Sequence, residues 1–198
     1  TKENNVFLYA NFYGGAGVGV GDFDNDGLDD LFFAGNLVDD KIYKNLGNLK
    51  FQDKTPNSGI INDNSWSTGV TVADVNNDGL LDIYVSCELY DDQPKLRTNK
   101  LYINKGNFEF DELAAKWNVD VDRRTRHAVF FDYNKDGLLD LYLLNHPPNT
   151  GNFSPFLGTD MKLPEYNLQL FENKEGFFED VTAKAGLDRS GFPNAAVI

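Results

Sequence analysis

The sequence predicts an all-β chain that forms part of a β-propeller: about three four-stranded antiparallel blades and the first strand of a fourth. Three observations carry this reading. One nine-residue phrase returns three times, as DFDNDGLDD at Asp22–Asp30, DVNNDGLLD at Asp74–Asp82 and DYNKDGLLD at Asp132–Asp140. The residues around each phrase are aromatic and β-branched strand formers with no helical period. The phrases recur 52 and then 58 residues apart, a repeat length that suits a four-stranded blade.

The strands follow in order. Strand A of each blade is short and rich in small residues: GVGVG (17–21), GVTVA (69–73) and AVFF (128–131). The glycine alternation of the first fits an innermost strand, where blades crowd the axis. A nucleotide-binding reading of that glycine run fails, because no helix follows it. Strand B comes after the phrase, as LFF (31–33), DIYVS (82–86) and DLYLLN (140–145). Strands C and D form hairpins marked by Asn and Gly: IYKNLGNLKFQD (42–53), LYINKGNFEFDE (101–112) and LFENKEGFFEDV (170–181). The blades are therefore expected at about 12–54, 66–113 and 126–182, with the next beginning at 192–198.

The phrase itself reads D-x-[DN]-x-D-G-x-x-D. Calcium takes six to eight hard oxygen ligands, and alternate residues of a tight loop can aim at one centre. The expected ligands are Asp22, Asp24, Asp26, the Leu28 carbonyl and Asp30 in the first loop. The second offers Asp74, Asn76, Asp78, the Leu80 carbonyl and Asp82. The third offers Asp132, Asn134, Asp136, the Leu138 carbonyl and Asp140. Gly27, Gly79 and Gly137 supply the sharp turn, since glycine enters left-handed conformations at low cost. An EF-hand is excluded: position 12 is Phe33, Val85 or Leu143 instead of Glu, and no helix follows. Magnesium suits the loops less well, because it keeps more of its waters in a smaller octahedral site.

Composition agrees with metal. The formal charge is −13. Ten of the 31 acidic residues are proposed ligands, and the other 21 nearly balance 18 basic ones. Three bound Ca²⁺ would bring the charge to −7. No basic stripe suggests nucleic acid, and no apolar run is long enough to span a membrane. A lone Cys87 excludes an internal disulfide and reads as core packing.

The chain resembles the FG-GAP/VCBS repeat family, whose integrin α-subunit members are calcium-bearing propellers. The likeness is carried by GVGDFDNDGLDDLFF, KIYKNLGNLKFQD and WSTGVTVADVNNDGLLDIYV. It is closer to bacterial VCBS-repeat proteins related to cartilage acidic protein, and it covers about residues 12–198. The resemblance implies that the Asp and Asn positions above bind calcium. It also implies a secreted, cell-surface or periplasmic location and a binding role.

Three blades cannot close a ring, which takes four to eight. The chain starts at Thr1, and FPNAAVI (192–198) resembles WSTGVTV (66–72). Further blades in a longer chain are therefore expected as packing partners. Strand alternation puts the calcium loops and C–D turns at one face and the B–C and D–A loops at the other. The B–C loops lengthen along the chain, at about 34–41, 87–99 and 145–166. The last carries His146, Phe153, Phe156 and Tyr166, and D–A segments add Trp66, Arg123, Arg124, Arg126 and His127. That face is the expected surface for a protein or glycan ligand, although the same aromatics could simply fill gaps between blades. His127, just before a strand A, suits a packed histidine. With two histidines and no recognisable nucleophile motif, the expected function is non-enzymatic binding with structural calcium. The alternative is part of a calcium-dependent secreted carbohydrate-active enzyme, a polysaccharide lyase or hydrolase.

Overall fold

The structure is a computed structural model that describes residues 15–36, 38–61, 63–88, 93–146 and 168–187. Among these residues twelve strands form three four-stranded sheets, each an antiparallel meander in chain order. The first sheet holds β1 (Val18–Gly21), β2 (Asp30–Phe33), β3 (Lys41–Asn45) and β4 (Phe51–Asp53). The second holds β5 (Trp66–Ala73), β6 (Asp82–Glu88), β7 (Lys100–Asn104) and β8 (Phe110–Glu112). The third holds β9 (Thr125–Phe131), β10 (Asp140–Asn145), β11 (Gln169–Asn173) and β12 (Phe178–Asp180). One short 3-10 turn, Pro94–Arg97, precedes β7, and no α-helix occurs among the described residues. Three repeated meanders of this kind are the blades of a partial propeller. The expected fourth-blade strand at 192–198 lies outside the described residues.

Side-chain alternation explains how the sheets stack. In β6 every residue is buried, because the middle sheet is covered on both faces. Ile83, Val85 and Cys87 join Phe32, Ile42 and Phe110 in a core between the first and second sheets. Tyr84 points the other way, into a second core with Ile103, Phe130, Leu141 and Phe178. Ring edges reinforce each seam: Phe23 meets Phe110 and Tyr84 meets Phe130, both T-shaped with centroids 6.1 and 6.0 Å apart. Cys87 is fully buried in the first of these cores, and burial pushes its thiol up to about 12.

The glycines at and just before β1 press closely on β5. A Cβ on Gly19 would sit 2.7 Å from Cγ1 of Val70 and 2.9 Å from Cγ2 of Val72. A Cβ on Gly17 would meet the backbone nitrogen of Val70 at 2.6 Å. The valines between them, Val18 and Val20, point to the opposite face and are half exposed. The alternation in the sequence is thus the footprint of one innermost strand against the next. In the following seam the hydroxyl of Thr71 donates to the Ala128 carbonyl at 2.7 Å.

Candidate metal centres

Each nine-residue loop joins the first two strands of its sheet, and the same bonds build it three times. The position 1 carboxylate accepts two backbone N–H groups. Asp22 takes those of Asp26 and Gly27 at 3.0 and 2.7 Å. Asp74 takes those of Asp78 and Gly79 at 3.1 and 2.9 Å. Asp132 takes those of Asp136 and Gly137 at 3.1 and 3.0 Å. The turn glycines have φ of +87°, +84° and +90°, where a side chain would be strained. The position 5 carboxylates of Asp26, Asp78 and Asp136 accept the N–H groups of Leu28, Leu80 and Leu138, whose carbonyls are the expected backbone ligands.

The position 9 residues, Asp30, Asp82 and Asp140, are buried and act as hubs. One oxygen accepts the N–H of Phe23, Val75 or Tyr133. The other accepts, at 2.8 Å in all three blades, the N–H of Asn45, Asn104 or Asn173 at the end of the third strand. Burial raises these carboxyls despite the two N–H groups, and Asp82 reaches about 7.

That terminal asparagine was visible in the sequence as a recurring letter, but its task was not. Its side-chain oxygen accepts the N–H of Gly47, Gly106 or Glu175 in the hairpin turn. Its amide donates to the position 8 carbonyl of its own loop, on Asp29, Leu81 or Leu139. In two blades the amide also crosses the seam: Asn104 reaches the Phe23 carbonyl at 2.9 Å, and Asn173 reaches that of Val75 at 3.0 Å. The first two loops are therefore each fastened to the sheet that follows.

The donors of the first loop fit a hard cation. Carboxylate oxygens of Asp22, Asp24 and Asp30 lie within 4.8 Å of one another. Oδ1 of Asp24 is buried without a hydrogen-bond partner. An unmet buried carboxylate oxygen is costly, and a divalent cation ligated by oxygens satisfies it. Asp26 stands outside that cluster, with its Oδ2 held by the Lys44 ammonium at 2.7 Å, and among the described residues the three carboxylates of the second and third loops do not draw together in this way. In the other loops the same oxygen of Asp78 and Asp136 accepts the amide of Asn76 and Asn134 at 2.9 and 2.8 Å.

Comparison with known families now bears on these loops. Residues 6–85 match the FG-GAP-like repeat. A comparison with curated proteins finds no match. The FG-GAP-like segment contains β1 to β5, the first two loops and the first half of β6. The third loop lies beyond the matched residues and reproduces their bonds.

The opposite end of the blades is less open than the sequence suggests. Trp66 is buried at 1 % exposure and Arg124 at 8 %, so neither presents an open surface. Arg123, Arg126, His127 and His146 are partly exposed. Arg126 pairs across the seam with the buried Glu88 at 3.9 Å. Burial lowers His127. A buried hydrogen-bonded line also crosses this seam. The Asn99 amide donates to the Tyr84 and Thr125 hydroxyls, and Thr125 donates to Asn145. Phe153, Phe156, Tyr166 and most of the third B–C loop lie outside the described residues, as do residues 89–92 of the second.

Proposed function

We propose that this chain is a non-enzymatic, calcium-stabilised propeller module that acts outside the cytosol, secreted, at a cell surface or in a periplasm. It binds a protein or glycan through its B–C and D–A loops. The observation that carries the metal is the threefold loop together with the buried, unpaired Oδ1 of Asp24. Calcium here is a brace. The loops sit between paired strands, and the first two are tied to the neighbouring sheet, so no helix is free to swing when the ion binds. The likeness to integrin α-subunit propellers and to bacterial VCBS-repeat proteins related to cartilage acidic protein supports the location and the binding role.

Calcium should raise the melting temperature by mass action, with about 2.7 kcal/mol gained per site at a hundredfold excess over Kd. Identical melting curves in calcium and in EDTA would show that the loops are only turns. Asp78→Ala should weaken the second site and leave the others near their original affinity.

Calcium affinity should also depend on pH. Asp82, raised to about 7 by burial, is largely protonated below that value, and a ligand must lose its proton to bind metal. Affinity at the second loop should therefore strengthen between pH 6 and 8 and level off above. A calorimetric titration that is flat across this range would contradict the assignment of Asp82 as a ligand.

A further inference from the structure

The three loops are close copies, but the side chain beneath each one is not. The penultimate residue of the third strand is Lys44 in the first blade, Ile103 in the second and Glu172 in the third. All three precede the terminal asparagine, so they occupy one place in the blade. Lys44 is bound through its ammonium to Oδ2 of Asp24 and, at 2.7 Å, to Oδ2 of Asp26. Ile103 is packed in the core between the second and third sheets. Glu172 is buried at 8 % exposure and faces the third loop. There it accepts the Tyr133 hydroxyl at 3.2 Å and the Asn134 amide at 3.3 Å, and it also pairs with Lys174 and, at 4.0 Å, with Lys184.

We infer that Lys44 is a built-in competitor for the first cation site, and that the residue at this place grades the three loops. The inference rests on the calcium reading above. The Lys44 ammonium already satisfies two of the carboxylates that the ion needs, those of Asp24 and Asp26. A divalent ion entering the first loop must displace it or bind beside a positive charge. The Phe108 ring, 5.7 Å from the Lys44 nitrogen and 5.8 Å from that of Lys54, also holds the ammonium where it is, at a distance that suits a cation–π contact. The same arrangement makes the first loop self-sufficient. Its extra acid, Asp24 in place of Asn76 or Asn134, is matched by an internal cation, so this loop keeps its shape at calcium levels that leave it unfilled. Glu172 acts with the opposite sign, adding a carboxylate beside a loop whose position 3 is a neutral amide, an effect that Lys174 and Lys184 partly offset. The filling order is thus the second and third loops before the first.

The backbone amides of Gly27, Gly79 and Gly137 report the loops separately, so NMR of the full chain during a calcium titration at pH 8 tests the idea. Gly79 and Gly137 should reach their midpoints at lower calcium than Gly27. Lys44→Met should move the Gly27 midpoint about tenfold lower and leave that of Gly79 in place, a modest shift because the site is partly exposed and screened. Lys44→Gln, which keeps a neutral donor for Asp24, should move it in the same direction. Glu172→Gln should move the Gly137 midpoint about tenfold higher by the same screened electrostatics. A Gly27 midpoint unchanged in both Lys44 variants, or Gly27 filling first in the parent chain, would overturn the inference and leave calcium binding intact. No response at any of the three glycines would overturn the calcium reading itself.

Discussion

Asn104→Ala is expected to destabilise the chain by about 2–4 kcal/mol, because buried backbone groups on two sheets lose their partner at once. The Asn104 amide satisfies the Leu81 carbonyl of its own loop and the Phe23 carbonyl of the preceding one, and its oxygen holds the turn at Gly106. Alanine leaves all three groups unmet at a site 1 % exposed, where water cannot easily replace the side chain. Asn45→Ala is the matched control. Asn45 makes the same bonds to Asp29 and Gly47, is partly exposed, and makes no described bond across a seam. Its loss should cost about half as much by the same accounting. Urea denaturation of the two variants gives the comparison. Equal, small losses would mean that the cross-seam bond contributes nothing.

Gly17→Ala should cost about 2–3 kcal/mol through overpacking. The added Cβ would lie 2.6 Å from the Val70 nitrogen and 2.9 Å from the Gly69 carbonyl carbon. Both are backbone atoms of a strand already paired to β6, so no rotamer change relieves the contact and the first two sheets must move apart. Gly15→Ala, whose Cβ meets nothing within 4 Å, tests conformation alone because its φ is +76°. Thermal unfolding should rank Gly17→Ala well below Gly15→Ala. The reverse order would show that the strands at this seam give way easily.

Much of this architecture is written in short patterns. The alternation of GVGVG announces a strand pressed against a neighbour, and the Asp positions announce a loop whose oxygens turn inward. Fold and candidate ligands are legible because each depends on residues close in sequence. What escapes is set by contacts between blades. Lys44 looks like an ordinary exposed strand residue until the fold brings it beneath Asp24 and Asp26. Trp66, a candidate ligand anchor by its position, is buried at 1 % exposure. Position 4 of the loop is an open letter in the pattern, yet Asn25, Asn77 and Lys135 all have positive φ, between +56° and +64°. Asparagine in two of the three was the available signal, since it tolerates that region better than most residues.

The reach of Asn104 back to Phe23 spans 81 residues, and that of Asn173 back to Val75 spans 98. On a chain emerging from the ribosome, the first loop can form its local turn early. Its last buried carbonyl is capped only when the third strand of the following blade has been made. Completion therefore lags synthesis by more than one repeat, and the newest loop is always the unfinished one. Contacts of such sequence separation slow folding and prolong the exposure of sheet edges. The local hydrogen bonds of Asp22, Asp74 and Asp132 shape each loop before its distant partner arrives.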